Sequence, residues 1–173
     1  KCLEARKHVF VEKPLALNIE ELAKVIEAQQ KSAKTVMVGF NRRFSPHTEK
    51  MKMLLGNSPM NVIATMNAGN LPANVWVHDM IIGGGRIIGE ACHFIDLMQY
   101  FTNSEPVKVY AECINTANEK TKADDNISIV VKFKNGSVGN LIYLANGDKS
   151  LPKELIEVFG GGIVGRIHDF RYG

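Results

Sequence analysis

The 173-residue sequence lacks the features that mark several specialised protein classes. No apolar run approaches the ~20 residues that a transmembrane helix requires. The net charge is +3 and no basic run exceeds a pair such as Arg42-Arg43, which is too weak to indicate nucleic-acid binding. The three cysteines, Cys2, Cys92 and Cys113, give neither an even disulfide set nor a metal-ligand spacing. The sequence therefore predicts a cytoplasmic protein with reduced cysteines, no metal, and no membrane or nucleic-acid partner.

The chain also lacks an initiator methionine. It opens with Lys1-Cys2-Leu3-Glu4-Ala5-Arg6-Lys7, which is typical of the last turns of a helix. We therefore expect a fragment whose first elements precede residue 1 and whose last elements follow residue 173.

The first forty residues alternate between two apolar runs and one helical pattern. Runs 8–11 and 35–40 are short and β-branched, which predicts two buried strands. Between them, Asn18 and Glu21 form a capping pattern that predicts a helix over residues 19–32. A crossover of this length predicts a right-handed parallel unit.

Polar residues follow both predicted strands. Glu12-Lys13-Pro14 ends the first strand and Asn41-Arg42-Arg43 ends the second. In open α/β sheets, ligands bind at the carboxyl ends of the strands. Both segments are therefore candidates for ligand contact.

After residue 44 the strands no longer alternate with helices. A helix is predicted after Ser45-Pro46, closed by Gly56, and a polar loop over residues 115–124. Asn135-Gly136 lies between two apolar runs and predicts a hairpin. The sequence thus predicts an α+β fold, a largely antiparallel open sheet with helices on one face. Its predicted strands are residues 62–66, 106–114, 127–133, 138–144, 155–159 and 163–167.

A triple glycine, residues 83–85, leads into a further predicted helix that ends near residue 100. Its ionisable residues Glu90, His93 and Asp96 are spaced by three, so they are expected to share one side. Glycines allow close backbone approach to a ligand. We therefore interpret this stretch as half of an active site, with Glu12-Lys13-Pro14 as the other half. The opposite, buried side of the helix is predicted to be Ile88, Ala91, Ile95 and Met98.

Four landmarks of the chain resemble those of one family in order and spacing. The resembling segments are residues 8–16, residues 38–44, Gly83-Gly84-Gly85 with residues 92–97, and Asp125-Asn126 with residues 133–136. The family is that of glucose-fructose oxidoreductase, inositol dehydrogenase and rhizopine catabolism, written Gfo/Idh/MocA. The resemblance covers nearly all of the chain.

The resemblance implies an oxidoreductase that uses NAD or NADP and acts on sugars, cyclitols or related polyols. It implies that residues 1–43 are the remnant of an N-terminal Rossmann domain. Residues 44–173 are then a C-terminal substrate-binding domain, truncated at its end, whose open sheet forms a homo-oligomer. No Gly-x-Gly-x-x-Gly joins a predicted strand to a predicted helix. We therefore expect the motif that holds the pyrophosphate to precede residue 1.

The resemblance and the residue chemistry together give the candidate site. A histidine titrates near neutrality and suits proton transfer, and a lysine stabilises developing negative charge. Many family members carry an aspartate four residues before the histidine, where this chain has Gly89 followed by Glu90. Asp96 could instead orient His93. The predicted catalytic residues are Lys13, His93 and Glu90, the cofactor-binding residues Glu12, Lys13, Pro14, Asn41 and Arg42, and the substrate-binding residues Arg86, Asp96, Trp76 and His78.

Two other functions fit the same residues. A catalytically silent domain would serve oligomeric assembly through the open sheet, and the missing aspartate at Gly89 favours this alternative. A related aldehyde or imine reductase would use the same lysine and histidine on a different carbonyl group.

Overall fold

A computed structural model describes residues 1–114 and 125–173 of the chain. Strands β1 (Val9–Val11) and β2 (Val36–Val38) form a parallel two-stranded sheet, and helix α1 (Ile19–Ser32) connects them. The predicted strand–helix–strand unit is thereby confirmed. The polar loop predicted for residues 115–124 lies outside the described residues.

Helix α1 begins and ends where its sequence predicts. The Asn18 side chain accepts a hydrogen bond from the Glu21 backbone N–H at 2.8 Å, and the Glu21 carboxylate accepts one from the Leu17 N–H at 3.0 Å. These two bonds satisfy backbone donors at the start of the helix. Ala33 adopts a left-handed conformation with φ of 52° and ends the helix.

The helix end expected at the start of the chain is confirmed. Ala5 N–H donates to the Lys1 carbonyl, and the Lys7 and Arg6 N–H groups donate to the carbonyls of Cys2 and Leu3, with Arg6 at φ of 55°, which is the pattern that closes a helix.

One prediction for this first unit is wrong. The two strands are not buried, since Phe10 is 64% exposed and Met37 is 43% exposed. Two short strands and one helix cover too little surface, and α1 itself contains no buried residue.

The second sheet has six strands in the spatial order β4-β5-β6-β3-β7-β8. Only the β3–β6 pairing is parallel among its five pairings, so the predicted largely antiparallel sheet is confirmed. Its strands are β3 (Asn61–Asn67), β4 (Pro106–Cys113), β5 (Ile127–Phe133), β6 (Val138–Leu144), β7 (Glu154–Gly160) and β8 (Ile163–His168). Helices α2 (Pro46–Leu55) and α3 (Cys92–Thr102) complete the fold, and none of the described helices has the length and apolarity to cross a membrane.

Glycine turns close the β5–β6 and β7–β8 hairpins of this sheet. The Asn135-Gly136 turn joins β5 to β6, with Gly136 at φ of 96°, which confirms the predicted hairpin. Residues Gly160–Gly165 match Gly-x-Gly-x-x-Gly letter for letter, but they join antiparallel strands β7 and β8. The dinucleotide-binding motif follows a strand and opens a helix, so this match is a hairpin turn and not that motif.

The core lies between helices α2 and α3 and the inner face of the six-stranded sheet. The predicted buried face of α3 is partly wrong, because Ile88 and Ile95 are only half-buried. A π-helical turn over Ile87–Ala91 precedes α3, and its wider turn rotates Ile88 away from the buried face. The residues of this helix that enter the core are Ala91, Phe94, Leu97, Met98 and Phe101.

Candidate active site

Lys13 connects the first unit to the π-helical turn. The residue follows β1 at the carboxyl end of the parallel sheet, and its Nζ donates a hydrogen bond to the Gly89 carbonyl at 2.7 Å. The two residues are 76 positions apart in the sequence. Isolated π-helical turns occur frequently at functional sites. The two predicted halves of the site therefore meet directly.

The triple glycine packs against the chain itself. A Cβ at Gly83 would lie 2.5 Å from the Val77 Cα and 2.6 Å from the Trp76 carbonyl oxygen, which leaves no room for a side chain. We expected the backbone of the triple glycine to approach a ligand closely. It instead approaches the short 3₁₀ turn Trp76–His78. This contact positions Trp76 and Val77 as one wall of a pocket.

The pocket has a volume of about 480 Å³ and two chemically different walls. Lys13, Gly89 and Glu90 form the polar wall. The volume falls within the range of about 300–1,000 Å³ that is usual for small-molecule sites. Pro14 also lines the pocket, and the apolar wall consists of Leu71, Val75, Trp76, Val77 and Ile82.

Glu90 is bound from two directions on this polar wall. The Tyr143 hydroxyl donates a short hydrogen bond to Oε2, and Arg86 lies 3.3 Å from the same oxygen. Burial alone would raise the pKa of Glu90, but the Tyr143 bond and the charges of Arg86 and Lys153 outweigh it and lower the pKa. Burial and the bond to Glu90 raise the pKa of Tyr143, so the phenol remains protonated and donates. Glu90 is therefore a carboxylate at neutral pH.

His93 lies beside this wall as a neutral imidazole. The side chain is 6% exposed and meets the Phe40 ring edge-on at 6.0 Å. Burial, followed by the positive charges of Arg42 and Lys13, lowers the pKa of His93 from 6.5 to about 4. Its Nδ1 is buried without a hydrogen-bond partner in residues 1–114 and 125–173. No structural hydrogen bond from the described residues therefore occupies this nitrogen.

Asp96 does not orient His93. Its carboxylate accepts two hydrogen bonds from Arg43, one of them from Nε at 2.9 Å. Glu90, His93 and Asp96 therefore do not converge on one ligand, although they follow one another at spacings of three. A substrate contact by Asp96 stays a prediction.

Arg42 and Asn41 lie away from the pocket. The Arg42 guanidinium donates to Glu154 at 2.9 and 2.5 Å and lies 5.3 Å from the Phe94 ring centroid. Both residues line a separate cavity of about 420 Å³. Glu12 is exposed beside Gly39. Cofactor contacts by these three residues stay predictions, and Arg42 already has a structural partner.

The remaining predicted substrate residues, His78 and Arg86, are buried behind the walls. His78 is 9% exposed, and its Nδ1 lies 3.7 Å from the Asp125 carboxylate. Arg86 is 2% exposed and donates to the Gly69 carbonyl at 2.7 Å. Their direct contact with substrate stays a prediction, whereas Trp76 lines the pocket itself.

Sequence reasoning missed Tyr143 and Glu154. Tyr143 lies in β6, where alternation alone predicts an ordinary inward residue. The available signal is that an inward tyrosine requires a partner for its hydroxyl. Neither partner, Glu90 or Arg42, could be identified from spacing in the sequence.

The His93 pKa predicts a pH-dependent loss of stability. Because the folded pKa of about 4 is below the ordinary 6.5, stability is complete above pH 6.5 and is lost as the pH falls toward 4. After allowance for solvent screening, we expect a contribution of about 1–2 kcal/mol. Urea unfolding of the complete protein across this pH window should show a shallower pH dependence in His93→Asn. His47→Asn, at a half-buried histidine, is the control, and equal slopes for His93→Asn and wild type would contradict the prediction.

Both the first unit of the chain and the part that follows it match models of known protein families. Residues 1–40 match a family model described as "Oxidoreductase family, NAD-binding Rossmann fold". Residues 57–163 match the GFO/IDH/MocA C-terminal domain. The fold and these matches define the class as oxidoreductases with an NAD-binding Rossmann fold. The chain belongs to the Gfo/Idh/MocA family.

Individual relatives are similar over most of the chain. Uncharacterized oxidoreductase YrbE of Bacillus subtilis is 30% identical over 78% of the chain and 41% of its own length. Myo-inositol 2-dehydrogenase of Thermotoga maritima is 29% identical over 92% of the chain and 48% of its own length. The chain thus spans less than half the length of these two relatives.

One solved structure shows the shared fold. The crystal structure of an NAD binding oxidoreductase from Klebsiella pneumoniae has a TM-score of 0.80 at 21% identity. The match covers 98% of this chain and 50% of that one.

Proposed function

We propose that the complete protein is an NAD- or NADP-dependent oxidoreductase. It transfers hydride between the nicotinamide and a sugar, cyclitol or related polyol. The observation that carries the proposal is the Lys13–Gly89 bond, which brings the lysine of the first unit to the pocket wall that holds Glu90. His93 lies close enough for its pKa to respond to Lys13 and Glu90. The relative named myo-inositol 2-dehydrogenase supports a cyclitol substrate.

The pocket fits the nicotinamide end of such a cofactor. Lys13 and Pro14 lie on the pocket wall, and the imidazole of His93 keeps a buried nitrogen without a partner in the described part of the chain. The residues that would hold the nicotinamide end are Lys13 and Pro14. Within residues 1–114 and 125–173, no glycine-rich turn leads from a strand into a helix, so no pyrophosphate contact is assigned.

Lys13, Glu90 and the neighbouring His93 each have a defined role in this proposal. A bound nicotinamide cofactor supplies the hydride acceptor or donor. His93 is neutral at neutral pH, so its imidazole can accept the hydroxyl proton when an alcohol is oxidised. The Lys13 ammonium stabilises negative charge that develops on the same oxygen. Glu90 accepts a hydrogen bond from another substrate hydroxyl.

Trp76 provides a direct test of ligand binding. It is the single tryptophan of the 173 residues and lines the pocket. We expect titration of the complete protein with NADH or NADPH to change the fluorescence of Trp76, and a cyclitol or sugar to be oxidised with the oxidised cofactor. Trp76→Phe should remove the fluorescence change that depends on this residue. No binding of either cofactor and no turnover of any polyol would contradict the proposal and favour a catalytically silent domain.

The domain division and the assembly belong to the same proposal. The boundary after residue 43 is supported by family matches that end at residue 40 and begin again at residue 57. Homo-oligomerisation through the open sheet is supported by Tyr110 and Val164 on the sheet face opposite the helices, which are 62% and 61% exposed. Three free thiols support a cytoplasmic location.

A further inference from the structure

The two carboxylate oxygens of Glu90 have different surroundings. Oε2 receives the hydrogen bond from Tyr143 and lies 3.3 Å from Arg86. Oε1 accepts no hydrogen bond from the part of the chain that the structure describes, and it is not among the buried unpartnered atoms. The side chain is 32% exposed and lines the pocket. One oxygen is therefore anchored and the other is available to a ligand.

The two groups that anchor Glu90 are themselves fixed. Tyr143 is fully buried in β6, in the centre of the six-stranded sheet. Arg86 is 2% exposed, donates to the Gly69 carbonyl at 2.7 Å, and lies 5.3 Å from the centroid of the Tyr143 ring. A carboxylate held by rigid, buried donors is preorganised for binding.

We propose that Tyr143 and Arg86 are positioning residues that present the Glu90 carboxylate to a substrate hydroxyl, so that the pocket selects neutral polyols over their carboxylated or phosphorylated counterparts. This inference rests on the proposed function and specifies its substrate class. Tyr143 and Arg86 act through Glu90 and do not touch the substrate.

The charges of the pocket support a neutral substrate. One ammonium, Lys13, and two carboxylates, Glu21 and Glu90, line it, which gives a net lining charge of −1. Arg86 does not line the pocket; it is buried behind the wall, where it partly offsets the charge of Glu90. An anionic substrate would therefore meet an ionised carboxylate without an additional lining cation to compensate it.

Hydrogen-bond chemistry leads to the same substrate class. An ionised carboxylate only accepts hydrogen bonds, so it requires a donor from the substrate. The titratable and charged groups that act on Glu90 or respond to it are Arg86 on the preceding turn, Tyr143 on β6, Lys153 before β7, and His93. Together, Tyr143, Arg86 and Lys153 lower the pKa of Glu90, and a sugar or cyclitol hydroxyl supplies the donor.

The first experiment compares matched neutral and acidic substrates. In the complete protein, kcat/KM is measured for myo-inositol against inositol monophosphate and for glucose against glucuronate. We expect the neutral member of a productive pair to be preferred by at least about tenfold. Glu90→Gln should reduce this preference by about tenfold, because it removes the charge but keeps the shape.

The second experiment tests the positioning role of Tyr143. Tyr143→Phe should lower kcat/KM for the neutral substrate by about ten- to a hundredfold, mainly through KM. In the wild type, the hydrogen bond from Tyr143 lowers the pKa of Glu90. Its loss in this variant raises that pKa, so the acidic limb of the pH profile should move to higher pH. Tyr172→Phe, at a 74% exposed tyrosine, is the matched control and should leave both unchanged.

The outcomes separate this inference from the function on which it rests. Absence of all turnover would overturn the proposed oxidoreductase function and the inference with it. Turnover that is equally efficient on neutral and acidic substrates would overturn the inference alone. The inference alone would also be overturned if the Tyr143→Phe variant had the wild-type KM and the acidic limb of its pH profile did not shift. If Tyr143→Phe fails to fold, the change in substrate preference caused by Glu90→Gln still tests the inference.

Discussion

Lys13→Ala should lower kcat for polyol oxidation in the complete protein by about 10²–10³-fold. Lys13 is the one cation among the described residues that line the pocket, so its removal leaves negative charge on the reacting oxygen without stabilisation. The bond to the Gly89 carbonyl is lost as well, which removes one contact between the first unit and the π-helical turn. Steady-state kinetics with the best polyol found in a substrate panel measures the effect.

The control for this variant is Lys24→Ala, which removes an exposed lysine of helix α1. It should leave kcat within about twofold, since exposed surface changes are usually small in effect. Far-UV circular dichroism of both variants checks that the fold is retained. A Lys13→Ala enzyme that is folded and as fast as wild type would exclude Lys13 from catalysis.

His93→Asn should lower kcat/KM by about 10²–10⁴-fold, the usual contribution of a general acid or base. The neutral imidazole is lost, and asparagine cannot accept and hold the hydroxyl proton. The variant should still bind NADH, because the residues assigned to the nicotinamide end are Lys13 and Pro14. A cofactor titration beside the kinetic assay therefore separates the proton-transfer role from a binding role.

His47→Asn is again the matched control, since His47 lies on α2 away from the pocket. If His93→Asn retains most of its activity, proton transfer must use another group. If it loses cofactor binding to the same extent as activity, His93 holds the cofactor and is not the base.

Local patterns explain which elements could be predicted from the sequence. The cap of α1 depends on residues 17–21, and the β5–β6 hairpin depends on Asn135-Gly136. Each is decided by a few neighbouring residues whose chemistry permits little else. The family landmarks placed Lys13, helical spacing singled out Glu90, and the structure brings both into one pocket.

Contacts between distant residues explain what could not be predicted. Arg43 and Asp96 are 53 positions apart, Arg42 and Glu154 are 112 apart, and Glu90 and Tyr143 are 53 apart. Each of these charges has several possible partners in the sequence, and the fold alone selects one. This changes the interpretation of Arg42. The family resemblance implied that Arg42 contacts the cofactor, whereas the structure pairs its guanidinium with Glu154.

The π-helical turn over Ile87–Ala91 is a second feature that periodicity does not show. Spacings of three assume a regular helix, and they placed Glu90, His93 and Asp96 on one side. Arg43 pairs with Asp96, and the π-helical turn interrupts the regular spacing on which the shared side was predicted. The proposed proton transfer and charge stabilisation therefore rest on Lys13, Glu90 and His93, and a substrate contact by Asp96 stays a prediction.

The central claim is that this pocket transfers hydride between a polyol and a nicotinamide. The most direct measurement uses the complete protein with NAD or NADP and myo-inositol deuterated at its carbinol carbons. The account predicts that deuterium appears in the reduced nicotinamide and that Lys13→Ala and His93→Asn form this product far more slowly. Failure to form any reduced, deuterated cofactor, by a protein that is folded and binds NADH, would contradict the claim.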